Sequence, residues 1–457
     1  KPIFFFLQYF FKDYTILLSF RSSQSKALTG NIEIPGDKSI SHRALMLGGV
    51  SVGKTVISGL LESDDVLATA NAMSKMGVKI LKNNKNAWQI HGRGVGGLMK
   101  PKNILDLGNS GTGVRLLIGL AGGHNFSAIF TGDQSLNSRP MDRIIDPLGQ
   151  MGIKFLTHND KKLPLTVIGP ETIIPINYTL PVPSAQVKSA ILLAGLNAPG
   201  ETSIIETEPT RNHTELMLKR FGANIEIEQM PPSYKKITLV GQPELTGQNI
   251  SVPSDISSAA FPIVACMIVP NSQLTLRNIG VNPLRTGLIK SLKEMGASIN
   301  IQNPTNKFGE ETADIWVQTS QLRGINIPKE RAPSMIDEYP ILAVAAAFAK
   351  GKTSMHGLSE LRVKESDRIN LMAEGLKKCG VNVDQTADTL IVHGKGSPPL
   401  GNTNIETSFD HRIAMSFLIF GMGSQYPISI NNADSIDTSF PNFYKLMNEI
   451  GGNIDLI

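Results

Sequence analysis

The 457-residue sequence predicts an α/β protein built as two pseudo-symmetric halves. Three observations carry that expectation. Six segments share one pattern, an apolar residue or Cys, then Gly, then alternating apolar residues: KMGVKI at Gly77, QMGIKF at Gly152, RFGANI at Gly222, EMGASI at Gly296, KCGVNV at Gly380 and EIGGNI at Gly451. Each glycine ends a helical pattern such as LIKSLKEMG and opens a β-alternating one, as a Gly-capped helix feeding a strand does. The glycines lie 75, 70, 74, 84 and 71 residues apart, so one supersecondary unit is used six times. Finally, the units carry Ala/Leu-rich helices with few charges beyond their opening turns, which are expected to be buried nearly all round.

Taken in order, the chain begins with KPIFFFLQYFFKDYTILLSF, which holds 6 of the 18 phenylalanines and is interrupted by Lys12 and Asp13. It lacks the unbroken apolar stretch and small-residue cleavage site of a signal peptide. Residues 1–24 are read as an atypical N-terminal extension outside the fold, with a targeting segment or a packed strand as the alternatives. The units then follow. Their first helices read SISHRALMLGG, SAQVKSAILLAGL, SSAAFPIVACMIV, DEYPILAVAAAFA and DHRIAMSFLIFGM. In most units a Gly- or Pro-marked turn leads to a β-branched strand: KTVISGL, ETSIIET, SQLTLRNI, KTSMHGL, PISINNA. A second helix and the Gly-capped strand complete each unit.

Two motif matches fail on context. Residues Gly48 to Thr55 fit the G-x-x-x-x-G-K-T spacing of a phosphate loop. Such a loop must follow a strand and open a helix, whereas this one follows SHRALML and opens TVISGL. Gly92 to Gly97 fits G-x-G-x-x-G but runs to Pro101 and a strand, so it reads as a loop. The eight histidines form no pair or cluster at metal-ligand spacing. His42, His213 and His411 lie near helix starts, where ligand contact and a loop-holding hydrogen bond are equally open readings.

Composition narrows the function. Lys+Arg 44 against Asp+Glu 39 gives +5, a mild basic excess that suits small anions but lacks the basic-aromatic clustering of a nucleic-acid binder. Two cysteines, Cys266 and Cys379, exclude a disulfide framework and a Cys-based zinc site. A mean hydropathy of −0.03 and no 18-residue apolar run exclude an integral helical membrane protein.

The helix starts hold the chemistry. First helices open with Asp37-Lys38-Ser39-Ile40-Ser41-His42-Arg43, Gly108-Asn109-Ser110-Gly111-Thr112-Gly113, Pro183-Ser184-Ala185-Gln186, Asp255-Ile256-Ser257-Ser258, Ile336-Asp337-Glu338 and Asp410-His411-Arg412. Second helices open near Ser138-Arg139-Pro140, Arg211-Asn212-His213-Thr214, Pro283-Leu284-Arg285-Thr286 and the run Arg362 to Arg368. Free N–H groups and the dipole make a helix start an anion site worth up to about 2 kcal/mol. N-capping alone accounts for Ser39, Ser184 or Asp255. It does not account for Lys or Arg at a helix start, where the dipole disfavours them, so several such ends point to a polyanion pocket.

IPGDKSISHRA, LGNSGTGVRLL, SRPMDRI, SAQVKSA, RVKESDR and DHRIAMSF, in that order from about Leu28 to the C-terminus, closely resemble the 5-enolpyruvylshikimate-3-phosphate synthases, in their bacterial class II branch. The resemblance implies an inside-out α/β barrel, an enolpyruvyl-transferase fold of two domains with three βαβαββ units each. It implies domains at 37–253 and 254–457, joined by a strand at 25–36 that belongs with the second, with crossovers near Gly36 and Pro253. It also implies transfer of the enolpyruvyl group of phosphoenolpyruvate to the 5-hydroxyl of shikimate 3-phosphate, by a cytoplasmic monomer with no metal, organic cofactor, nucleic acid or membrane partner.

By that resemblance, Ser39, Arg43, Ser184, Gln186 and Arg211 hold shikimate 3-phosphate, while Lys38, Arg139, Lys364, Arg368 and Arg412 hold phosphoenolpyruvate. Asp337 is the base for the 5-hydroxyl. Glu365 is the acid for the methylene carbon, kept partly protonated and desolvated by domain closure. Lys38 and Lys364 stabilise the intermediate and the departing phosphate, and Gly111 faces the phosphate site. The two substrates bring roughly −5 to −6 in charge, matched to these cations. Two positions depart from the family pattern: Thr438 replaces a common lysine, and Ala185 replaces a second serine. The rival readings are an enolpyruvyl transferase acting on UDP-N-acetylglucosamine and a non-catalytic anion binder. The first family usually carries a reactive Cys where this chain has the Cys-free loop Asp133 to Ser138, and the second has no use for Asp337 and Glu365 beside an anion.

Overall fold

The structure, a computed structural model, describes residues 18–84, 86–157, 160–307 and 309–457. Six four-stranded sheets share one strand order. The fifth unit shows the pattern: strand Asn326–Ile327, helix Tyr339–Phe348, strand Lys350–Met355, helix Arg368–Lys378, then strands Asn382–Gln385 and Leu390–Lys395. Its first two strands run parallel through the helical crossover, and the last strand lies antiparallel between the second and the third. This is the βαβαββ unit, and all six Gly-capped turns close it in the same way. Gly77, Gly152, Gly222, Gly296, Gly380 and Gly451 have φ between +81° and +111°, the left-handed region that glycine enters freely.

The first helices lie innermost and the sheets outside. Ile256–Ile268, Tyr339–Phe348 and His411–Gly423 pack on one another, and so do Gly111–Gly122 and Ala185–Gly195. Gly119 permits the second contact: a Cβ there would stand 2.2 Å from the Ala190 carbonyl oxygen. Buried apolar side chains form two clusters. One runs from Ile40 to Val252, and the other combines Phe20, Leu28, Ile32 and Ile34 with Ile256 to Ile454. We treat each cluster as one domain.

The chain crosses between the clusters twice, so strands change places. Thr29–Glu33 pairs with Gln273–Gly280 in the second cluster, and Asn249–Ser251 supplies the first strand of the sheet containing Lys54–Ser58. The reading of residues 1–24 as lying outside the fold needs correction from residue 18 onward. Phe20–Ser22 is the antiparallel strand between Ile428–Ile430 and Ile454–Leu456, and it completes the sixth sheet. Without it Ile454–Leu456 would have no partner and Ile428–Ile430 would become an edge, and Phe20, 4% exposed with its ring 5.1 Å from that of Tyr444, would leave a hole in the core. Residues 1–17 lie outside the described residues.

The two dismissed motifs behave as their context requires. Gly48 and Gly49 end the helix Lys38–Gly49, and Lys54 opens the strand Lys54–Ser58. Gly92 to Gly97 is a loop after the strand Trp88–His91, closed by Arg93 Nε donating to the Gly97 carbonyl at 2.6 Å.

Phe20→Ala is expected to lower the unfolding free energy of the second domain by about 3–5 kcal/mol, the cost of emptying a core aromatic site. Urea titration followed by circular dichroism measures it, and an unchanged midpoint would remove this strand from the sheet.

Candidate active site

The starts of all six first helices meet at one cavity of about 420 Å³ between the two clusters. Lys38 and Ser39, Gly111 and Thr112, and Ser184 to Gln186 come from one side; Ser257 and Ser258, Asp337, and His411 and Arg412 come from the other. The second helices add Arg139, Arg211, Arg285, Lys364 and Arg368. Local sequence accounts for this. Asp37, Ser110, Ser184, Asp255 and Asp410 cap their helices by accepting one backbone N–H each, at 2.8 to 3.4 Å. The remaining first-turn N–H groups have no intrahelical partner and suit an anion.

So many like charges in one space need counter-ions. Asp337 Oδ2 accepts from Arg211 at 2.7 Å, and its Oδ1 lies 3.4 Å from Lys364 Nζ and 3.5 Å from Arg368 Nη1. Glu365 lies 2.5 Å from Arg368 Nη2 and 3.8 Å from Arg139 Nη1. The pairs Arg211–Asp337 and Arg139–Glu365 cross from one cluster to the other. Burial pushes the Asp337 carboxyl up, but Lys364, Arg211, Arg412 and Arg368 outweigh it and hold the group well below the usual carboxylate range. Burial likewise opposes ionisation of Glu365, and Arg368, Arg139, His411 and Lys364 overcome it. Before substrate arrives, both carboxylates are therefore ionised. The expectation of a partly protonated Glu365 does not hold for the protein alone, because its neighbours are cations rather than apolar walls.

Behind the walls a further layer fixes the cations. Arg368 is 1% exposed and donates to both oxygens of Asp410, at 2.8 and 3.2 Å. Arg139 donates to Ser135 Oγ at 3.0 Å and to Asn109. Lys38 pairs with Asp65 and donates to the Thr438 carbonyl oxygen at 3.4 Å, so Thr438 contributes a backbone dipole to the site rather than a charge. Gln186 Nε2 donates to Thr112 Oγ1 at 3.0 Å, tying two helix starts together.

Of the thirteen residues singled out in the sequence, twelve line the cavity: Lys38, Ser39, Gly111, Arg139, Ser184, Gln186, Arg211, Asp337, Lys364, Glu365, Arg368 and Arg412. Arg43 does not. It is 4% exposed, and it donates to Thr214 Oγ1 at 2.7 Å, Ser189 Oγ at 2.8 Å and the Ser39 carbonyl at 3.0 Å. One turn after Ser39 it points into the wall and braces that serine from behind. Its guanidinium is brought down to about 10 by burial. His411 lines the cavity, whereas His42 and His213 do not.

The sequence reading missed Arg115, Arg143, Asp65 and Lys329, which also line the cavity. Arg115 was detectable as the one charge in GTGVRLLIGLAG; it donates to the Gly111 carbonyl at 3.2 Å, one turn back. Asp65 sits in an ordinary acidic first turn and carries no such signal. Cys266 and Cys379 are buried in helix-end packing, and burial pushes both thiols up to about 12, which leaves them unreactive. Among the described residues no group of three or more His, Cys, Asp or Glu could hold a metal ion, and no helix is long and apolar enough to cross a membrane.

Known proteins resemble this chain over nearly its whole length. The family model described as EPSP synthase (3-phosphoshikimate 1-carboxyvinyltransferase) matches residues 22–447. A 3-phosphoshikimate 1-carboxyvinyltransferase of Paramagnetospirillum magneticum is 56% identical over 433 residues, covering 95% of this chain and 97% of that protein. One of Rhodospirillum rubrum is 54% identical over 441 residues, covering 96% and 98%. The structure of EPSP synthase from Acinetobacter baumannii superposes with a TM-score of 0.84 at 44% identity, over 96% of this chain and all of that one. The enolpyruvyl transferase NikO of Streptomyces tendae shares the fold, with a TM-score of 0.76 at 15% identity, over 96% of this chain and 99% of that one. With the family match, the sequence identities, the fold and near-complete coverage in agreement, the chain belongs to the EPSP synthase family, the 3-phosphoshikimate 1-carboxyvinyltransferases.

Proposed function

We propose that the chain uses this cavity to move the enolpyruvyl group of phosphoenolpyruvate onto the 5-hydroxyl of shikimate 3-phosphate, releasing phosphate. The observation that supports it most is that Asp337 and Glu365, the only two carboxylates the chemistry requires, stand within one shell of cations drawn from both domains. A pocket built only to bind anions could place its counter-ions behind the wall, as Asp410 stands behind Arg368, and gains nothing from two carboxylates lining the ligand space, where each repels the ligand.

In this reading Ser39, Ser184, Gln186 and Arg211 hold shikimate 3-phosphate, with Arg43 supporting Ser39. Lys38, Arg139, Lys364, Arg368 and Arg412 hold phosphoenolpyruvate. The 5-hydroxyl oxygen bonds to C2 of phosphoenolpyruvate while its proton passes to Asp337, and Glu365 gives a proton to the methylene carbon C3. In the second step the C2–O bond to phosphate breaks, a C3 proton returns to Glu365, and the proton on Asp337 leaves with phosphate. Lys38 and Lys364 stabilise the charge that moves onto the departing group. Glu365 acquires its proton when the substrates, with roughly −5 to −6 of charge, take over the cations that hold it ionised. Every group in this scheme comes from one chain, which supports a monomer as the working unit. Substrates of such charge do not cross a bilayer unaided, which supports a cytoplasmic reaction.

Phosphate release from phosphoenolpyruvate is expected only when shikimate 3-phosphate is present, and UDP-N-acetylglucosamine should not replace it. Asp337→Asn and Glu365→Gln should each lower turnover by about 10²–10⁴ while substrate affinity stays within a few-fold, the usual worth of a positioned acid or base. Release without the acceptor, or wild-type turnover in either variant, would refute the assignment.

Glyphosate competes with phosphoenolpyruvate in this family and is longer, so it tests the wall around Gly111. Gly111 opens the helix Gly111–Gly122 in ordinary helical geometry, not as a turn glycine with positive φ. A Cβ there would come within 2.9 Å of Arg139 Nη1 and 3.0 Å of Arg115 Nη1, so the two guanidinium ends must shift slightly to admit it. Glyphosate is expected to inhibit the enzyme, and Gly111→Ala should raise its inhibition constant more than it raises the KM for phosphoenolpyruvate. Parallel changes in the two constants would reject the steric account.

A further inference from the structure

Where the chain passes between the domains, a buried arginine joins elements from both. Arg285 precedes the helix Gly287–Glu294 and is 3% exposed. Its Nη1 donates to Asp37 Oδ2 at 3.1 Å and lies 3.2 Å from His213 Nε2, and its Nη2 donates to Asp255 Oδ1 at 3.2 Å and to Ser257 Oγ at 2.7 Å. Asp37 caps the first helix of one domain and Asp255 caps the first helix of the other. The same two residues join the crossover strands, since Asp37 N donates to the Pro253 carbonyl at 2.7 Å and Asp255 N donates to the Pro35 carbonyl at 2.9 Å. His213 Nδ1 meets Glu310 Oε1 of the second domain at 2.6 Å, and Ser257 bonds Glu338.

Two of its partners lie within two residues of a group assigned to the substrates, Asp37 before Lys38 and His213 after Arg211, and Glu338, which Ser257 bonds, follows Asp337. No step of the proposed reaction uses Arg285, Asp37, Asp255 or His213. A general packing contact would not explain one guanidinium fork satisfying the helix caps of two domains. The charges also fit: the Asp37 carboxyl, although buried, is brought down to about 2 by Arg285 and His213, whereas burial and the neighbouring Asp37 push Asp255 up to about 6.

We propose that Arg285 is a positioning residue at the inter-domain hinge, whose fork fixes the two first-helix caps against each other so that Lys38 and Arg211 face Asp337. The inference rests on the function proposed above. It separates from a role in stability alone by what it does to each substrate. Shikimate 3-phosphate draws its contacts mostly from the first domain and should be little affected. The phosphoenolpyruvate site needs both domains in register and should lose most.

Arg285→Lys keeps a charge but loses the fork. Asp37→Ser keeps a helix cap while deleting one arm of the fork's grip, and it serves if the buried lysine prevents folding. In the full-length protein, isothermal titration gives the affinity for shikimate 3-phosphate alone and for glyphosate in its presence, and steady-state kinetics gives kcat/KM for phosphoenolpyruvate. The expected result is shikimate 3-phosphate affinity within about three-fold of wild type, with glyphosate affinity and kcat/KM for phosphoenolpyruvate both down at least ten-fold. Folded variants with wild-type glyphosate affinity, or with both ligands weakened equally, would overturn the proposal. If the wild-type protein itself lacks acceptor-dependent phosphate release, it is the functional reading that fails, not the hinge assignment alone.

Discussion

The architecture depends on gathering like charges into a small buried space without breaking the fold. Two unit charges 4 Å apart repel by about 4 kcal/mol at the effective dielectric of a protein surface, so a handful of unpaired cations in one cavity would outweigh a typical domain's stability. Carboxylates placed among them meet that constraint. Asp65 sits on Lys38, Asp410 on Arg368, Asp337 between Arg211 and Lys364, and Glu365 between Arg139 and Arg368. Two of these carboxylates are also the groups assigned to move protons. In the proposed reaction the resting counter-ions and the acid and base are the same side chains, with substrate charge converting one role into the other.

Repetition of one unit produces the convergence. A βαβαββ unit places the start of its first helix at one end of its sheet, and three units around a common helical core bring three such starts together. Two domains facing each other double that to six, with the cavity between them. The chain enters this arrangement out of order. Strands Phe20–Ser22 and Thr29–Glu33 belong to the second domain, although the first domain follows them in sequence. The domains are thus tied at two neighbouring crossings, and ion pairs such as Arg143–Glu360 also join them.

Much of this was legible in residues, for physical reasons. The six glycines signalled six units because a helix that feeds a strand needs a left-handed residue at its end, and each of them has one. Lys and Arg at helix starts signalled an anion site because the dipole argues against them there. Other features could not be read. Phe20–Ser22 is only three residues long, and its partners, Ile428–Ile430 and Ile454–Leu456, are more than four hundred residues away, so neither periodicity nor a nearby turn marks it. Arg43 carries the same letter as its cavity-lining neighbours, and only the side-chain path toward Thr214 and Ser189 sends it into the wall. The ionised state of Glu365 depends first on Arg368, three residues on, and next on Arg139, which lies far from it in sequence and meets it only in the fold.

The claim that substrate charge switches Glu365 from counter-ion to acid can be measured as protons. Isothermal titration of shikimate 3-phosphate with glyphosate, in buffers of differing ionisation enthalpy, gives the number of protons taken up as the closed complex forms. Glyphosate contributes its own proton change, so the quantity of interest is the difference between the wild-type protein and Glu365→Gln. The account predicts that wild type takes up close to one proton more than the variant at neutral pH. Equal uptake by the two would mean that Glu365 stays ionised in the loaded site, and the proton for C3 would have to come from another group.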